Sequence, residues 1–506
     1  MRDLSRRSFL ATAVAGGLAR TARADRPAAR YQATRQSLNA HPLPDWFRDG
    51  KLGIFLHWGL YSVPGFAPKG RIEDVLKRDY AHAMVRNPYA EDYWNAMRDP
   101  TTPTAAFHRE RYGDRPYEDF RRPFGEGLKA WDPDGWAAEF RNAGGHYVVL
   151  TAKYADGYCL WPTKHENPFI KGWSTERDVV GDLARAVRGR GMRFGVYFSG
   201  GVDWSWHKGP QRTLGEYIAG VPGGDFPAYS ENQLRELIDR CEPDILWNDV
   251  TWCNDEPALF RFFADYYNKI PEGVVNDRFS TVEPGRAAAR PEIAKAIDEA
   301  LRARIESGGG LFDADRPAPP HADFTTPEWV QFAEIRSKKW EVCRGMAYSW
   351  AYNRTETEAD HIPPDELLLN FVDAVSKNGN MLLNVGPDGD ARIPPAQVSR
   401  LRAMGAWTRP NGAAIFGTRP WRRAEAKTAD GLPVRITAKG DTVNLIIWGR
   451  PKGPTVRING LTLAGRGKLL SDGSDVTVRP EGADLALDFA RQLTGELGPV
   501  VAIERA

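Results

Sequence analysis

The sequence lacks the short motifs that mark several large classes of enzyme. It contains no Walker phosphate-binding loop, no GxGxxG turn and no GxSxG nucleophile elbow, and its nine histidines form no HExxH or HxH cluster. These absences argue against nucleotide, dinucleotide, serine-hydrolase and metal-dependent chemistry. We therefore expect neither a nucleotide cofactor nor a metal site.

The chain also contains few cysteines and has a small net charge. The four cysteines are Cys159, Cys241, Cys253 and Cys343, and no pair of them has the spacing of metal ligands. Cys241 and Cys253 flank a predicted strand, which at about 3.3 Å per residue separates them too far for a disulfide. We interpret all four as small buried hydrophobic residues. The formal net charge of +2 gives no reason to expect nucleic acid or an acidic membrane surface as a partner.

The apolar run near the N-terminus is short. It extends from Phe9 to Ala19, well below the ~20 residues that a transmembrane helix needs. The run follows SRRSFL and precedes an A-x-A site, which is the pattern of a twin-arginine signal peptide; an accidental basic N-terminus is the alternative. The pattern predicts a signal peptide over residues 1–24, a polar leader over 25–40, and a periplasmic or secreted protein.

Apolar strands alternate with amphipathic helices over most of the chain. Strands are predicted at KLGIFLHWG, HYVVLTA, RFGVYF, DILW, around VV at 274–275, and at MLLNV. This alternation implies a parallel sheet, in either a closed barrel or an open doubly wound fold, and the missing glycine-rich phosphate turn favours the barrel. We predict an α/β protein with a (β/α)₈-like (TIM) barrel over residues 41–418.

Two segments depart from this alternation. Residues 283–323 contain a charged helical pattern followed by GGG and PAPP, which is consistent with either a hinged lid or a tolerated surface insertion. After about Pro420 the helical pattern stops, and short alternating segments such as VRIT, TVNLIIW, TVRIN and DVTVRP follow. They predict a C-terminal antiparallel β-sandwich over residues 419–506.

The stretch DILWNDVTW places a carboxylate, Asp249, at the tip of a buried strand. In a barrel, ligands bind at the C-terminal ends of the strands. On local sequence alone, Asp249 is equally consistent with a cap of the next helix. Four other side chains, His57, Lys153, Tyr197 and Arg278, also fall at or just after predicted strand ends. A barrel would bring all five to one rim.

With metals, nucleotides and serine or cysteine nucleophiles excluded, a pair of carboxylates is the leading candidate for the catalytic groups. Glycoside hydrolysis needs such a pair: one stabilises or bonds the anomeric carbon, and the other protonates the leaving group. The stretch HADFTTPEW sets Glu328 between Pro327 and Trp329, and an apolar wall favours the protonated form that a general acid needs. Glu328 is equally consistent with the first turn of a helix beside Pro327.

An ordered series of stretches resembles the α-L-fucosidases of glycoside hydrolase family 29. The stretches are WFRDGKLGIFLHWGLYSVP, YAEDYWNAM, VVLTAK, DGYCLWPTKH, RFGVYFSGGVDW, DILWNDVTW, YYNKIPEGVVNDR and NMLLNVGPDGD, and they span roughly residues 45–418. The resemblance implies a (β/α)₈-like catalytic domain, a C-terminal β-sandwich, and a retaining exo-glycosidase without cofactors that acts on terminal α-L-fucosides.

The resemblance also implies roles for individual residues. Asp249 matches the nucleophile of the family, and Glu328 resembles the acid/base, because HADFTTPEW and KKWEVCRGMAYSWAYNR continue the match beyond the insertion. The residues that match the sugar-binding shell are His57, Glu91, Tyr197, Trp247 and Arg278.

Three positions depart from the family pattern. Tyr154 and Ala155 stand where the family usually has two histidines, and Asp92 stands where it usually has tryptophan. An unmatched buried polar group costs about 1–3 kcal/mol, so such changes can alter which sugar is preferred. They leave open the same mechanism on another α-L-hexoside, such as an α-L-galactoside or α-L-glucoside. A non-catalytic carbohydrate-binding protein is the third hypothesis, and the presence of both carboxylates argues against it.

Overall fold

A curled sheet of parallel strands organises the first and larger part of the chain. The computed structural model describes residues 31–286, 290–307, 319–493 and 498–505. In this described part the sheet contains β1 (Leu52–Leu56), β2 (Tyr147–Lys153), β3 (Arg193–Ser199), β4 (Ile245–Asp249), β5 (Val274–Val275), β6 (Trp340–Arg344) and β7 (Gly379–Val385). The spatial order is β5-β4-β3-β2-β1-β7-β6, and every neighbouring pair is parallel.

An irregular segment occupies the eighth position, between β5 and β6. The backbone N–H of Asp323 donates to the carbonyl of Val275 (3.0 Å), and the N–H of Cys343 donates to the carbonyl of Pro327 (3.0 Å). Proline has no N–H to give to a ladder, which explains why residues 323–329 do not form a regular strand. The segment nevertheless bonds to strands on both sides, and the predicted (β/α)₈-like barrel is confirmed.

Helices surround this sheet. Those that alternate with the strands are Pro133–Asn142, Val179–Gly189, Phe226–Cys241, Glu256–Lys269, Pro364–Ser376 and Pro395–Asn411. Other helices are Arg35–Asn39, Asp45–Gly50, Ile72–Arg78, Tyr93–Met97, Pro103–Tyr112, Arg121–Lys129, Leu214–Ala219 and Glu292–Glu306. Because the helices cover the outer face and side chains fill the interior, the strands are buried on both faces and are rich in apolar residues. No helix in the described ranges is both long enough and apolar enough to span a bilayer.

The second sheet is antiparallel and has its own core. Its strands are β8 (Arg419–Lys427), β9 (Pro433–Lys439), β10 (Thr442–Ile447), β11 (Thr455–Ile458), β12 (Gly465–Leu469), β13 (Asp475–Glu481), β14 (Asp484–Phe489) and β15 (Val500–Arg505). Their order is β11-β14-β13-β12-β15-β10-β9-β8. The two ends meet, since Asn459 N–H donates to the Lys427 carbonyl at 3.0 Å. The sheet thus folds over an apolar core that includes Val434, Leu445 and Leu487, and the predicted C-terminal sandwich is confirmed.

The N-terminal segment packs on the barrel from Tyr31 onward. Residues 31–40, the described part of the predicted polar leader, include a short helix whose Leu38 is fully buried. Arg35 pairs with Glu256 on a barrel helix at 2.8 Å. The predicted signal peptide and residues 25–30 lie outside the described residues.

All four cysteines are buried, as predicted, and each is a free thiol. Burial raises the pKa of Cys253 to about 12, so this thiol stays protonated near neutral pH. The cysteines therefore serve as small packing residues.

Candidate active site

A cavity of about 460 Å³ opens at the C-terminal ends of β1, β3, β4 and β6. Its lining includes all seven residues predicted from the sequence, namely His57, Glu91, Tyr197, Trp247, Asp249, Arg278 and Glu328. A volume of this size falls in the range of small-molecule sites, roughly 300–1,000 Å³. The structure therefore brings together residues that are up to 271 positions apart in the chain, from His57 to Glu328.

Asp249 is the last residue of β4, and its carboxylate faces the cavity. Oδ2 accepts a hydrogen bond from the Tyr197 hydroxyl (2.8 Å), and Oδ1 accepts from Arg278 Nη1 (2.8 Å) and from the Val250 N–H (2.8 Å). Burial alone would raise the pKa of Asp249, but the charge of Arg278 and these three donors outweigh it and lower the pKa below its ordinary value. The carboxylate is ionised at neutral pH. The next helix is capped by Asp255 instead.

The residue that follows each of the two carboxylates has a left-handed backbone. Val250 has φ +66° and Trp329 has φ +59°. This region is unfavourable for a β-branched or bulky side chain and costs of order 1–3 kcal/mol where the surroundings enforce it. At Val250 the conformation aims the backbone N–H at Asp249. At Trp329 it turns the indole away from the cavity that Glu328 lines.

Arg278 links the two carboxylates. Nη1 donates to Asp249, and Nη2 donates to Glu328 Oε1 at 2.5 Å. The guanidinium lies over the Trp247 ring, 4.6 Å from its centroid. The loop that carries Arg278 is fixed by Asn248 on β4, whose Nδ2 donates to the Arg278 carbonyl (2.7 Å). Both carboxylates thus lie on one guanidinium, which limits how far apart they can be.

Glu328 belongs to the irregular segment between β5 and β6, so the alternative of a first helical turn is wrong. Its backbone is bridged to Cys343 on β6, which explains how a carboxylate outside a regular strand reaches the rim. The surroundings also differ from the sequence-based expectation of an apolar wall alone. The Arg278 guanidinium also lies against the Glu328 carboxyl group, with Nη2 and Oε1 2.5 Å apart.

His57 follows β1 and presents a defined tautomer. Asn384 Nδ2 donates to the Trp350 carbonyl, so its Oδ1 is the acceptor that faces His57 Nδ1 at 2.7 Å. Nδ1 therefore carries the proton, and Nε2 is left as an acceptor. Burial lowers the pKa of His57 to about 4, so the ring is neutral over the physiological range.

Two neighbouring carboxyl groups, those of Glu91 and Asp92, also line the cavity. Glu91 Oε2 accepts from the Ala351 N–H (2.9 Å), and burial, with the nearby Asp92 charge, raises the pKa of Glu91 to about 8. Burial likewise raises the pKa of Asp92 to about 7. The Tyr154 hydroxyl donates to Asp92 Oδ1 (2.8 Å). Two of the three positions that depart from the family pattern, Asp92 and Tyr154, are therefore bonded to each other.

The helix Glu292–Glu306 of the insertion forms part of the cavity wall. Ile297 and Leu301 line the cavity. Asp298, on the same helix, accepts hydrogen bonds from the Gly215 N–H (2.7 Å) and the Tyr80 hydroxyl (3.0 Å). The described part of the insertion thus packs at the cavity wall and is not a surface insertion remote from the site.

One rim prediction is wrong, and some residues of the site were missed. Lys153 ends β2 but does not line the cavity; its Nζ lies 3.6 Å from Asp203 and donates to Gln233 (3.1 Å). Side chains alternate between the faces of a strand, so the last residue need not point inward. Tyr217, Trp350 and Asn384 were missed. Only Asn384 carried a signal, as the polar residue within the apolar MLLNV.

A family model, a curated relative and solved structures all indicate the same family for this chain. A family model described as alpha-L-fucosidase matches residues 18–413. The tissue alpha-L-fucosidase of Bos taurus is 31% identical over 440 residues, which cover 84% of this chain and 78% of the bovine protein. The crystal structure of Thermotoga maritima alpha-fucosidase matches with a TM-score of 0.78 and 37% identity, over 94% of this chain and 100% of that one. The Thermotoga enzyme in complex with fucose matches with a TM-score of 0.77 and 36% identity, at the same coverage.

Proposed function

Because the chain belongs to the α-L-fucosidase family, we propose that it is a retaining exo-glycosidase that hydrolyses terminal α-L-fucosides of glycans or glycoconjugates. The observation that carries this proposal is the bridge of Arg278 between Asp249 and Glu328 in a cavity at the barrel rim. Neither of the other hypotheses is favoured, since the relatives are α-L-fucosidases and a structural neighbour was solved with fucose. The three departures in the sugar shell do not outweigh these similarities.

In the first step Asp249 is the nucleophile. Its ionised carboxylate attacks the anomeric carbon, a carbon–oxygen bond to the enzyme forms, and the bond to the leaving group breaks. Glu328 gives its proton to the departing oxygen. This requires a protonated Glu328, so its contact with Arg278 has to weaken when the sugar binds between the two carboxylates. The Tyr197 hydroxyl and the Val250 N–H donate to Asp249 and orient its carboxylate for this attack.

In the second step Glu328 acts as the base. It takes a proton from a water molecule, and the oxygen of that water attacks the anomeric carbon and releases Asp249. Two inversions at the same carbon give net retention. Retaining enzymes hold their two carboxyl groups about 5–5.5 Å apart, and a bridge through one guanidinium is compatible with that spacing.

The sugar shell combines one acceptor with groups that can donate. Neutral His57 offers Nε2 as an acceptor for a sugar hydroxyl, whereas Glu91, with its pKa of about 8, holds a proton near neutral pH and can donate. The Trp247 and Tyr197 rings stack 5.5 Å apart and form an apolar wall. A site of this kind recognises a pyranose through both its hydroxyl pattern and its apolar face.

The test is turnover and stereochemistry. With a panel of aryl α-L-glycosides, we expect the fucoside to be hydrolysed with the highest kcat/KM, ahead of the α-L-galactoside and α-L-glucoside. Proton NMR at early times should show α-L-fucose as the first product. A β-anomer as first product would contradict the retaining mechanism. Binding of fucose without turnover of any panel member would favour the non-catalytic hypothesis.

We also propose that the protein is exported by the twin-arginine route to the periplasm or beyond. The support is the sequence pattern SRRSFL before a short apolar run and an A-x-A site. Replacing Arg6 and Arg7 together with lysine should leave the precursor in the cytoplasm, as measured by cell fractionation, whereas Arg2→Lys should not. Normal export of the double variant would contradict the proposal.

A further inference from the structure

The segment that carries Glu328 is bonded unevenly to its two neighbours. On the β6 side, backbone hydrogen bonds continue as far as Trp329, whose N–H donates to the Cys343 carbonyl at 3.1 Å. On the β5 side, the one backbone–backbone hydrogen bond between described residues runs from the Asp323 N–H to the Val275 carbonyl. Closer to the rim, side chains join the two segments instead.

Thr326 and Asp277 form this side-chain junction. The Thr326 hydroxyl donates to Asp277 Oδ1 at 2.6 Å, and the Thr326 N–H donates to the same oxygen at 3.0 Å. Thr326 is almost fully buried, with an exposed fraction of 1%. Hydrogen bonds to a carboxylate are roughly twice as strong as those between neutral groups. Asp277 therefore fixes both the position of Thr326 and the direction of its hydroxyl proton.

Thr326 in turn holds Arg278. Because the hydroxyl proton is directed at Asp277, Thr326 Oγ1 accepts a hydrogen bond from Arg278 Nε (3.0 Å), and the Thr326 carbonyl accepts one from Arg278 Nη2 (3.1 Å). The same guanidinium donates to Asp249 through Nη1 and to Glu328 through Nη2. Two contacts with one residue define the plane of the guanidinium, and with it the directions in which its two terminal nitrogens point.

Thr326 differs from the residues it holds in its access to the cavity. Arg278 and Asp277 line the catalytic cavity, whereas Thr326 does not. A sugar in the cavity therefore does not compete for the Thr326 hydroxyl. The junction also ties together the two loops that carry Arg278 and Glu328, since Asp277 precedes Arg278 directly and Thr326 lies two residues before Glu328.

We propose that Thr326 and Asp277 are positioning residues of the reaction, which hold the Arg278 guanidinium in the orientation that contacts both catalytic carboxyl groups. The inference rests on the proposed function and adds to it two residues that act through Arg278. Neither residue forms or breaks a bond to the substrate in this role.

The first test replaces Thr326 with valine, which removes the hydroxyl and retains the branched shape of the side chain. We expect kcat/KM for an aryl α-L-fucoside to fall by roughly 10- to 100-fold, the range for the loss of a hydrogen bond to a charged group. Thr326→Ser keeps the hydroxyl and should restore most of this activity. Circular dichroism shows which variants are folded, and Thr326→Ala replaces the valine variant if the additional methyl group prevents folding.

Thr325→Val is the matched control. Thr325 precedes Thr326 in the same segment and bonds to β6 through its backbone: its N–H donates to the Lys339 carbonyl (3.2 Å), and its carbonyl accepts from the Glu341 N–H (2.8 Å). Its hydroxyl makes no hydrogen bond with another described residue. Removing this hydroxyl should therefore leave kcat/KM close to that of the unaltered protein.

The pH profile separates positioning from a merely structural role. Burial raises the pKa of Asp249, and the charge of Arg278 is the largest of the contributions that lower it. If the guanidinium shifts in Thr326→Val, this pKa rises. Activity is lost as the pH falls through it, so the acidic limb of kcat/KM should move to higher pH. Other titratable groups that interact with Asp249, and that all variants retain, are His57, Asp92, Tyr197 and Tyr217.

A double-mutant cycle tests whether the two residues act as a unit. Asp277→Asn preserves the volume of a partly exposed side chain, and combined with Thr326→Val it should lose less activity than the product of the two single losses. Losses that multiply would overturn the inference. So would an unmoved acidic limb in Thr326→Val, or equal activities of the valine and serine variants. If the unaltered protein hydrolyses no α-L-fucoside, the proposed function itself fails.

Discussion

Replacing Asp249 with alanine should lower kcat for an aryl α-L-fucoside by roughly 10⁴-fold or more, which is the scale found when a nucleophile is removed. The reason is the arrangement around this carboxylate. Tyr197, Arg278 and the Val250 N–H keep it ionised and oriented toward the cavity, and no other carboxylate among the described residues receives this set of donors. The measurement is steady-state kinetics, with circular dichroism to show that the fold is unchanged.

Chemical rescue of the Asp249→Ala variant with azide tests the same assignment more specifically. In the alanine variant a small anion can enter the space of the missing carboxylate and attack the anomeric carbon. A carbon–nitrogen bond forms, the aryloxide leaves, and the product is a β-L-fucosyl azide, with the configuration inverted by a single displacement. Asp255→Asn is the control, since it alters only the cap of the next helix. Substantial residual activity of Asp249→Ala without azide would contradict the assignment.

Replacing Glu328 with alanine should have an effect that depends on the leaving group. For fucosides with a poor leaving group, such as another sugar, we expect a loss of roughly 10²–10⁴-fold, because departure then lacks a general acid. For α-L-fucosyl fluoride the first step needs no proton, so the loss of rate should be much smaller. The measurement is kcat/KM for a series of leaving groups of decreasing pKa.

The pH dependence separates this role from a structural one. A general acid gives a basic limb to the pH profile of kcat/KM, and the limb should disappear in Glu328→Ala while the acidic limb remains. Glu334→Ala is a suitable control, because Glu334 is exposed and lies six residues further along the same loop. Equal losses for good and poor leaving groups would argue against Glu328 as the acid/base.

Arg278 forms ion pairs with both candidate catalytic carboxyl groups, Asp249 and Glu328. The reaction needs one ionised and one protonated carboxyl group, and Arg278 contacts both of them. Asp249 has two additional donors that do not depend on Arg278. A sugar that enters between the carboxylates can therefore weaken the contact of Arg278 with Glu328 while Asp249 stays ionised.

Local sequence predicted the site better at regular strands than elsewhere. Asp249 and Tyr197 follow from apolar runs that end in a polar or aromatic residue, and the ends of parallel strands meet at one rim. Glu328 was found through resemblance, because its segment has no periodicity: Pro327 interrupts the ladder. The direction of Lys153 could not be inferred, since the register shift at the end of β2 decides which face it takes.

The parallel barrel, the C-terminal sandwich and both candidate carboxylates could be predicted from the amino-acid sequence, because hydrophobic periodicity and short ordered motifs are local properties of the chain. How these residues contact one another could be seen only in the folded protein. The Arg278 bridge, the Asp92–Tyr154 pair and the insertion helix at the cavity wall all join segments far apart in sequence. Such contacts depend on the closure of the barrel and on the path of its loops, which no local pattern encodes.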